Sequence, residues 1–381
     1  MLPHLYKKVG TELGVPLGVI SAAQQQMNII RSRGSHPVLS LNHLARLTGC
    51  SGTYLRRIVQ RTYDPYADIS RPKRSGGRRH ISAPEPVLAG VQRWILDNAL
   101  GHVGFHSSSF AYRKGVSIVD CAHQHVGVRW MVKFDLQNYF GSIDEISVFK
   151  IFREGGYNNL VALELARLCT RMLPGFPQHP LGSIRERYSA IPAYAAGKHG
   201  VLPQGAPTSG ALANTATRKL DDQLSAIAAN SELVYTRYSD DLTFSTGGNW
   251  NRAHSSALTR AVEKAVVNAG FKINAKKTRV VPPGARHIVL GLLVDDESVR
   301  LLPEFRRRLS GHVRGVEKFT LQAHARSRNF RSLLSFVRFI DGHIAFAHGV
   351  DPLWALTIRA RWNLALEASG YPIFARTWSS E

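Results

Sequence analysis

Val234-Tyr-Thr-Arg-Tyr-Ser-Asp-Asp-Leu-Thr-Phe-Ser245 decides how this chain is read. Two short runs rich in β-branched and aromatic residues flank a pair of adjacent acids, Asp240 and Asp241. That pattern predicts a β-hairpin with carboxylates at its tip. Side chains alternate faces along a strand, so two consecutive Asp point the same way only if the turn rotates one of them. Asp240 is expected to be the firmer metal ligand. Adjacent acids repel, and a fold that gathers them generally holds a cation there. Upstream, Trp130-Met-Val-Lys-Phe-Asp135 reads as a short apolar strand ending on a third carboxylate. If the two strands are neighbours, Asp135, Asp240 and Asp241 converge.

Composition says what such a site works on. Of 381 residues, 49 are Lys or Arg and 27 are Asp or Glu, a formal net charge of +22 spread over the whole chain. A field of that sign and extent favours nucleic acid as partner. The implied cation is Mg²⁺ and the implied substrate a polyphosphate on a nucleic acid. Two Mg²⁺ ions bridged by Asp135 and Asp240 suit in-line phosphoryl transfer, with the backbone carbonyl of Leu136 completing an oxygen shell. The three cysteines, Cys50, Cys121 and Cys169, are far apart and form no CxxC pair, which argues against a disulfide framework or zinc module and fits a reducing cytosol. The first residues lack the apolar core of a signal peptide. The apolar run from Val15 to Ala23 is too short to span a bilayer and is interrupted by Pro16 and Gly18. A cytoplasmic protein with no membrane partner is expected.

Outward from the acids, the middle of the chain alternates strand and helix patterns and both ends are helical, an α+β core with helical attachments. Residues 1–70 read as helical. Within them, 40–59 is either a helix-turn-helix or a helical hairpin that only packs. Residues 69–84 read as a basic β-hairpin around Lys73-Arg-Ser-Gly-Gly-Arg-Arg79. Helices are predicted over 86–100, 147–173, 209–229 and 252–269, a strand and turn over 271–281, and a further strand over 287–294. Residues 174–199 break the pattern with Pro174, Pro177, Pro180 and Pro192, a basic insertion. Leu202-Pro-Gln-Gly-Ala-Pro-Thr-Ser209 is a Gly/Pro-built turn into a helix that Thr208 or Ser209 can cap, and Gln204 is placed to reach a nucleotide as a neutral donor. From Pro303 the pattern is helical, with Arg306-Arg307-Arg308 near its start.

Five segments, in order, resemble the reverse transcriptases of bacterial retrons. They are Arg79-His-Ile-Ser-Ala-Pro84, Val132-Lys-Phe-Asp-Leu-Gln-Asn-Tyr-Phe140, Leu202 to Ser209, Tyr235-Thr-Arg-Tyr-Ser-Asp-Asp-Leu-Thr243, and Asn274-Ala-Lys-Lys-Thr278 with Val289-Leu-Gly291. The resemblance implies a right-hand polymerase, with fingers and palm around an antiparallel sheet and a helical thumb. Its boundaries are a helical N-terminal region at 1–70, fingers and palm at 71–297 including the insertion, and a thumb at 298–381. By position, Asp135, Asp240 and Asp241 are the implied catalytic triad. Lys73 and Arg79 belong against the incoming triphosphate, Lys277 near it, and Gln204 on the nucleotide. Phe140 is the implied steric gate, a ring that clashes with a ribose 2′-hydroxyl. Val289 to Leu292 is the implied primer grip.

Two retron marks are altered. The Asn-Ala-x-x-His element stands here as Cys121-Ala122-His123-Gln124-His125, and the Val-Thr-Gly triplet as Val289-Leu290-Gly291. Ala122, His125, Val289, Leu290 and Gly291, with Arg306 and Arg307, are the expected contacts to RNA or primer. For His123 and His125 the alternative is a structural, hydrogen-bonded histidine. The resemblance implies an RNA-directed DNA polymerase that takes dNTPs and Mg²⁺. It would copy part of its own structured noncoding RNA from a 2′-hydroxyl primer into a branched RNA–DNA hybrid. It would serve in antiphage defence beside a separate effector protein. Two other readings are weighed with it. One is a different defence-associated or abortive-infection reverse transcriptase with untemplated or protein-primed synthesis. The other is a non-catalytic nucleic-acid binder, against which the intact set of Asp135, Asp240, Asp241 and Gln204 argues.

Overall fold

The computed structural model describes residues 3–72, 78–172, 199–295 and 297–372. Lys73 and nearly all of the Pro-rich insertion expected at 174–199 lie outside the described residues. Four helices open the chain: α1 (Pro3–Glu12), α2 (Leu17–Ser32), α3 (Leu41–Thr48) and α4 (Gly52–Val59). The Ser40 and Ser51 hydroxyls accept from the backbone N–H of His43 and Tyr54, capping α3 and α4. The apolar faces of this pair, Leu41 and Leu44 with Leu55, Ile58 and Val59, go into the same core as the central sheet. The 40–59 segment is thus a helical hairpin that packs. The helical stretch ends earlier than residue 70, because β1 (Tyr66–Pro72) pairs antiparallel with β2 (Arg78–Pro84) as the basic hairpin.

After α5 (Pro86–Trp94) and α6 (Ile118–His123), the centre is a four-stranded sheet in the order β4-β5-β3-β6. Its members are β3 (Trp130–Asp135), β4 (Val234–Tyr238), β5 (Asp241–Thr246) and β6 (Arg279–Val281), all antiparallel to their neighbours. Strand alternation sends Val132, Phe134, Leu242 and Phe244 into the main core, where the Phe134 and Phe244 rings meet edge to face at 5.9 Å. The opposite face of β3 carries Met131, Lys133 and Asp135. Covering the core are α7 (Glu145–Glu154), α8 (Asn159–Cys169), α9 (Ser209–Ala216), α10 (Arg218–Ala229) and α11 (Arg252–Asn268). The single helix predicted over 147–173 is broken after Glu154 at Gly155-Gly156, the latter at φ 90°. The one over 209–229 is interrupted at Thr217, whose hydroxyl bonds back to the Ala213 carbonyl at 2.9 Å.

Three short strands, β7 (His287–Val289), β8 (Leu292–Val294) and β9 (Val299–Leu301), form a separate antiparallel sheet. The single strand predicted over 287–294 is therefore a hairpin. Leu290 and Gly291 both take positive φ, 51° and 84°, the two-residue turn that matches strand twist. The last helices, α12 (Pro303–Phe319), α13 (Leu321–Ser327), α14 (Leu333–His348) and α15 (Pro352–Ala368), enclose a core of their own around Leu309, Val313, Phe336, Ile340 and Trp362. A small third cluster, with Cys121, Met131, Val289, Leu292, Ala347 and Ala355, joins the central sheet, the three-stranded sheet and this bundle. Central sheet, basic hairpin and terminal bundle make an α+β right-hand architecture. Among the described residues, no helix is long and apolar enough to cross a membrane, and the three cysteines are free.

Candidate active site

Strand register brings the three acids together. Asp135 stands directly opposite Asp241 in the β3–β5 pair. One residue on, the Leu136 N–H donates to the Asp240 carbonyl at 2.9 Å, so the end of β3 is clamped to the tip of the β4–β5 hairpin. Ser239, just before the acids, takes φ 60°, and this left-handed residue supplies the rotation that the alternation of a plain strand forbids. Asp135 is buried, with its Oδ2 accepting from Lys277 Nζ at 2.6 Å and its Oδ1 from Asn274 Nδ2 at 3.2 Å. Lys277 lies in a short turn before β6, and its bond to Asp135 raises its pKa.

The other two carboxyls are pushed toward neutrality. Burial and then the charge of Asp135 raise Asp240. Burial and then the charge of Asp240 raise Asp241 to about 6. Lys133, on the same face of β3, is half-buried. Its ammonium donates to the Ile288 carbonyl at 3.2 Å, which ties the β7–β8 hairpin to the strand that carries Asp135. Among the described residues, no three His, Cys, Asp or Glu side chains are set as a closed metal shell. The chemistry of the donors nonetheless fits Mg²⁺. They are all oxygen, Asp240 and Asp241 carry a strain of burial and mutual charge that a cation would relieve, and Asp135 already takes a cationic partner in Lys277. Mg²⁺ commonly uses only one or two carboxylates and completes its shell with water and phosphate.

Beside the acids lies a cavity of about 450 Å³ lined by Leu96, Tyr112, Phe140, Gln204, Pro207 and Ser209, among others. The loop before α9 is braced rather than capped. Neither Thr208 nor Ser209 caps α9; the Ser209 hydroxyl instead donates to the Pro203 carbonyl at 2.7 Å. The Gln204 carbonyl accepts from the Ser82 N–H of β2 at 2.8 Å, so the loop is pinned to the basic hairpin. Gly205, at φ 123°, allows that approach: a Cβ there would come within 2.9 Å of Ile81. Phe140 opens a short turn after β3, and its ring meets Tyr112 at 6.0 Å and Tyr139 at 5.3 Å, both edge to face. Arg79 is exposed on β2, and its charge acts on Tyr112.

Beneath the hairpin is a buried network that sequence reasoning missed. Arg237 of β4 and Asp221 of α10 are both wholly buried and paired at 2.6 Å. The guanidinium also donates to Tyr139 Oη at 2.9 Å, to Asn214 Oδ1 at 3.0 Å, to Ser109 Oγ at 3.0 Å and to the Ser239 carbonyl at 3.2 Å. The signal was an arginine at an inward strand position. Its meaning depends on α10 lying underneath, which no local pattern gives.

The residues expected at RNA or primer divide. Ala122 is fully buried, and His125 is 1% exposed with its ring nitrogens 2.6 Å from Ser245 Oγ and 2.7 Å from Thr236 Oγ1. Burial lowers the His125 pKa to about 4. Neither residue presents a surface to RNA, so the contact expected of both gives way to the structural alternative for His125. Val289 is buried in the third cluster, leaving Leu290 and Gly291 at the hairpin tip. Arg306 is paired with Asp351 and lies over the Trp354 ring at 5.2 Å. The Arg307 side chain is 78% exposed.

The sequence model described as Reverse transcriptase (RNA-dependent DNA polymerase) matches residues 71–302, more than half of the chain. The chain is 30% identical over 342 residues to the retron Mx162 reverse transcriptase of Myxococcus xanthus, covering 84% of this chain and 66% of that protein, just under two thirds. It is 26% identical over 340 residues to the retron Ec86 reverse transcriptase of Escherichia coli, covering 85% and 95% respectively. Similar solved structures include apo telomerase from Candida tropicalis truncated from its C-terminal domain, with a TM-score of 0.36 at 15% identity over 62% of this chain and 55% of that one. Telomerase from Candida albicans with a TWJ fragment of telomeric RNA gives 0.42 at 12% over 81% and 61%. The chain belongs to the reverse transcriptase family of RNA-dependent DNA polymerases, and within it to the retron type.

Proposed function

We propose that this chain, an RNA-directed DNA polymerase, copies part of its own structured noncoding RNA into DNA. Synthesis starts from the 2′-hydroxyl of an internal guanosine and gives a branched RNA–DNA hybrid, in a retron system that acts against phage through a separate effector. The observation that carries the polymerase site is the pairing of Asp135 with Asp241 and the clamp from Leu136 to Asp240, beside a cavity walled by Phe140 and Gln204. Kinship to retron reverse transcriptases carries the choice of template and primer.

Asp135, Asp240, Asp241 and the Leu136 carbonyl would hold Mg²⁺, which when bound would supply a more acidic attacking hydroxyl and charge neutralisation at the departing pyrophosphate. The chain's own residues do the rest. Phe140 excludes a ribose 2′-hydroxyl, and Gln204 donates to the incoming nucleotide. Arg79 faces the triphosphate from the basic hairpin, and the resemblance assigns Lys73, which lies outside the described residues, to the same triphosphate. Lys277 holds Asp135 in place until substrate arrives. Lys133 keeps the Leu290-Gly291 tip in one frame with the acids, so primer support and chemistry stay in register. The test is to purify the protein from cells carrying its flanking DNA and to sequence the bound nucleic acid with and without debranching. A 2′,5′-linked RNA–DNA hybrid is the expected result, and host RNA alone would overturn the retron reading.

A further inference from the structure

Tyr112 walls the cavity next to Phe140, the two rings meeting edge to face. Its ring lies hard against α9 at Gly210, where a Cβ would come within 2.4 Å of it, so that glycine admits the ring. Its hydroxyl is 3.0 Å from Ser239 Oγ, and Ser239 is the residue before Asp240. Both partners stand in the left-handed region, Tyr112 at φ 57° and Ser239 at φ 60°. Residues other than glycine seldom hold that conformation unless their surroundings over-determine it, and such residues cluster at functional sites. Ser239 is also gripped from below, through its carbonyl, by Arg237. Beside the Leu136 clamp on the Asp240 carbonyl, Ser239 itself is therefore held on one side by a buried guanidinium and on the other by a hydroxyl from the cavity wall. A Phe at 112 or an Ala at 239 would leave no such link.

We propose that the Tyr112–Ser239 hydroxyl pair is a latch that couples the nucleotide cavity to the catalytic turn, making Tyr112 a positioning residue for Asp240. The inference rests on reading the cavity as the site of the incoming sugar. A deoxynucleotide seats against Phe140 and Tyr112 without displacing them and leaves the turn in place. A ribonucleotide presses its 2′-hydroxyl on Phe140, the push passes to Tyr112, and the latch carries it to Ser239 and Asp240. Discrimination against ribonucleotides then shows in kcat as well as in KM, because the wrong sugar disturbs an acid as well as crowding a pocket.

The experiment is steady-state primer extension with dNTP and rNTP by the full chain, with active sites counted by titration against primer–template so that loss of folded protein cannot pass for loss of kcat. Tyr112→Phe and Ser239→Ala should each lower kcat for dNTP about five-fold, the scale of one hydrogen bond, with KM within about two-fold of wild type. Each should also shrink the kcat part of the dNTP-over-rNTP preference. The double variant should be no worse than Ser239→Ala alone, which loses the Ser239 bond to Asp240 as well as the link to Tyr112. Effects that multiply to about 25-fold in the double variant, or a Tyr112→Phe enzyme with wild-type kcat, would overturn the latch. Phe140→Ala tests the ground beneath it. That change should admit rNTP, and unchanged sugar preference would show that the cavity is not the sugar site, a failure distinct from additive latch variants.

Discussion

At Asp241, burial and the neighbouring Asp240 both press the carboxyl toward its neutral form, lifting its pKa to about 6. At pH 8 it is ionised all the same, so the folded protein bears a repulsion that the unfolded chain does not. Asp241→Asn should accordingly raise stability by about 2 kcal/mol while abolishing polymerisation, checked by melting at pH 8 without divalent ions alongside primer extension. Mg²⁺ in millimolar amounts should raise Tm in wild type and raise it less in Asp241→Asn, since a ligand bound only by the folded state stabilises it. A variant that is inactive but melts earlier would make Asp241 a scaffold residue. Arg237 and Asp221 have the opposite sign. Both are wholly buried and satisfy each other, so removing one leaves an uncompensated charge. Arg237→Met should cost roughly 3 to 5 kcal/mol in urea unfolding, and adding Asp221→Leu should recover much of it.

Between elements, His125 is a tie from the segment after α6 to β4 and β5, through Thr236 and Ser245. Burial, then the charge of Lys133, lowers its pKa to about 4, whereas the unfolded chain has the ordinary value of 6.5. A depressed folded-state value means that the stabilisation is complete above about pH 6.5 and is lost as pH falls toward 4. Acidification from pH 7.5 to 5 should remove about 2 kcal/mol through this one residue, and His125→Gln should flatten that part of the pH profile of Tm. His312 in the terminal bundle, also lowered to about 4 by burial first, adds to the slope in the same direction. These elements differ in how far the sequence betrayed them. The β4–β5 hairpin, β3 and the basic hairpin were legible because a period of two and local turn residues specify each one without outside help. The β7–β8 turn was not, since Leu290 is a poor advertisement for a positive φ that only Gly291 hints at. The break at Thr217 and the role of Arg237 depend on what packs beneath them, which is long-range information. Position along a family motif likewise says nothing of exposure, which is why Ala122 and His125 read as contacts and prove to be interior. Tyr112 sits in an irregular stretch with no periodic signal, and its value comes from Ser239, 127 residues away in sequence.

For the molecule as a whole, a net charge of +22 favours association with RNA, and the terminal bundle offers one face on which part of that charge can act. The bundle has its own core, so its surface can be altered without touching the acids. On α12, Leu309, Val313 and Val316 face inward, while Arg307, Gly311, Arg314 and Lys318 form an exposed stripe at helical spacing. A flat, basic helical face of this kind suits a phosphate backbone, with the glycine letting the strand approach closely. Each phosphate neutralised contributes about 0.7 to 0.9 to the slope of log affinity against log salt. Arg307→Gln with Arg314→Gln should therefore reduce that slope by roughly 2, similarly for every RNA sequence tried, with Tm unchanged. Arg306→Gln should do the reverse. It breaks the pair with Asp351 and the stack on Trp354, so it lowers Tm and leaves the salt slope alone. Filter binding from 50 to 200 mM salt, paired with melting curves, separates the two. A salt slope that follows Arg306 and ignores Arg307 and Arg314 would move the RNA to the other side of α12.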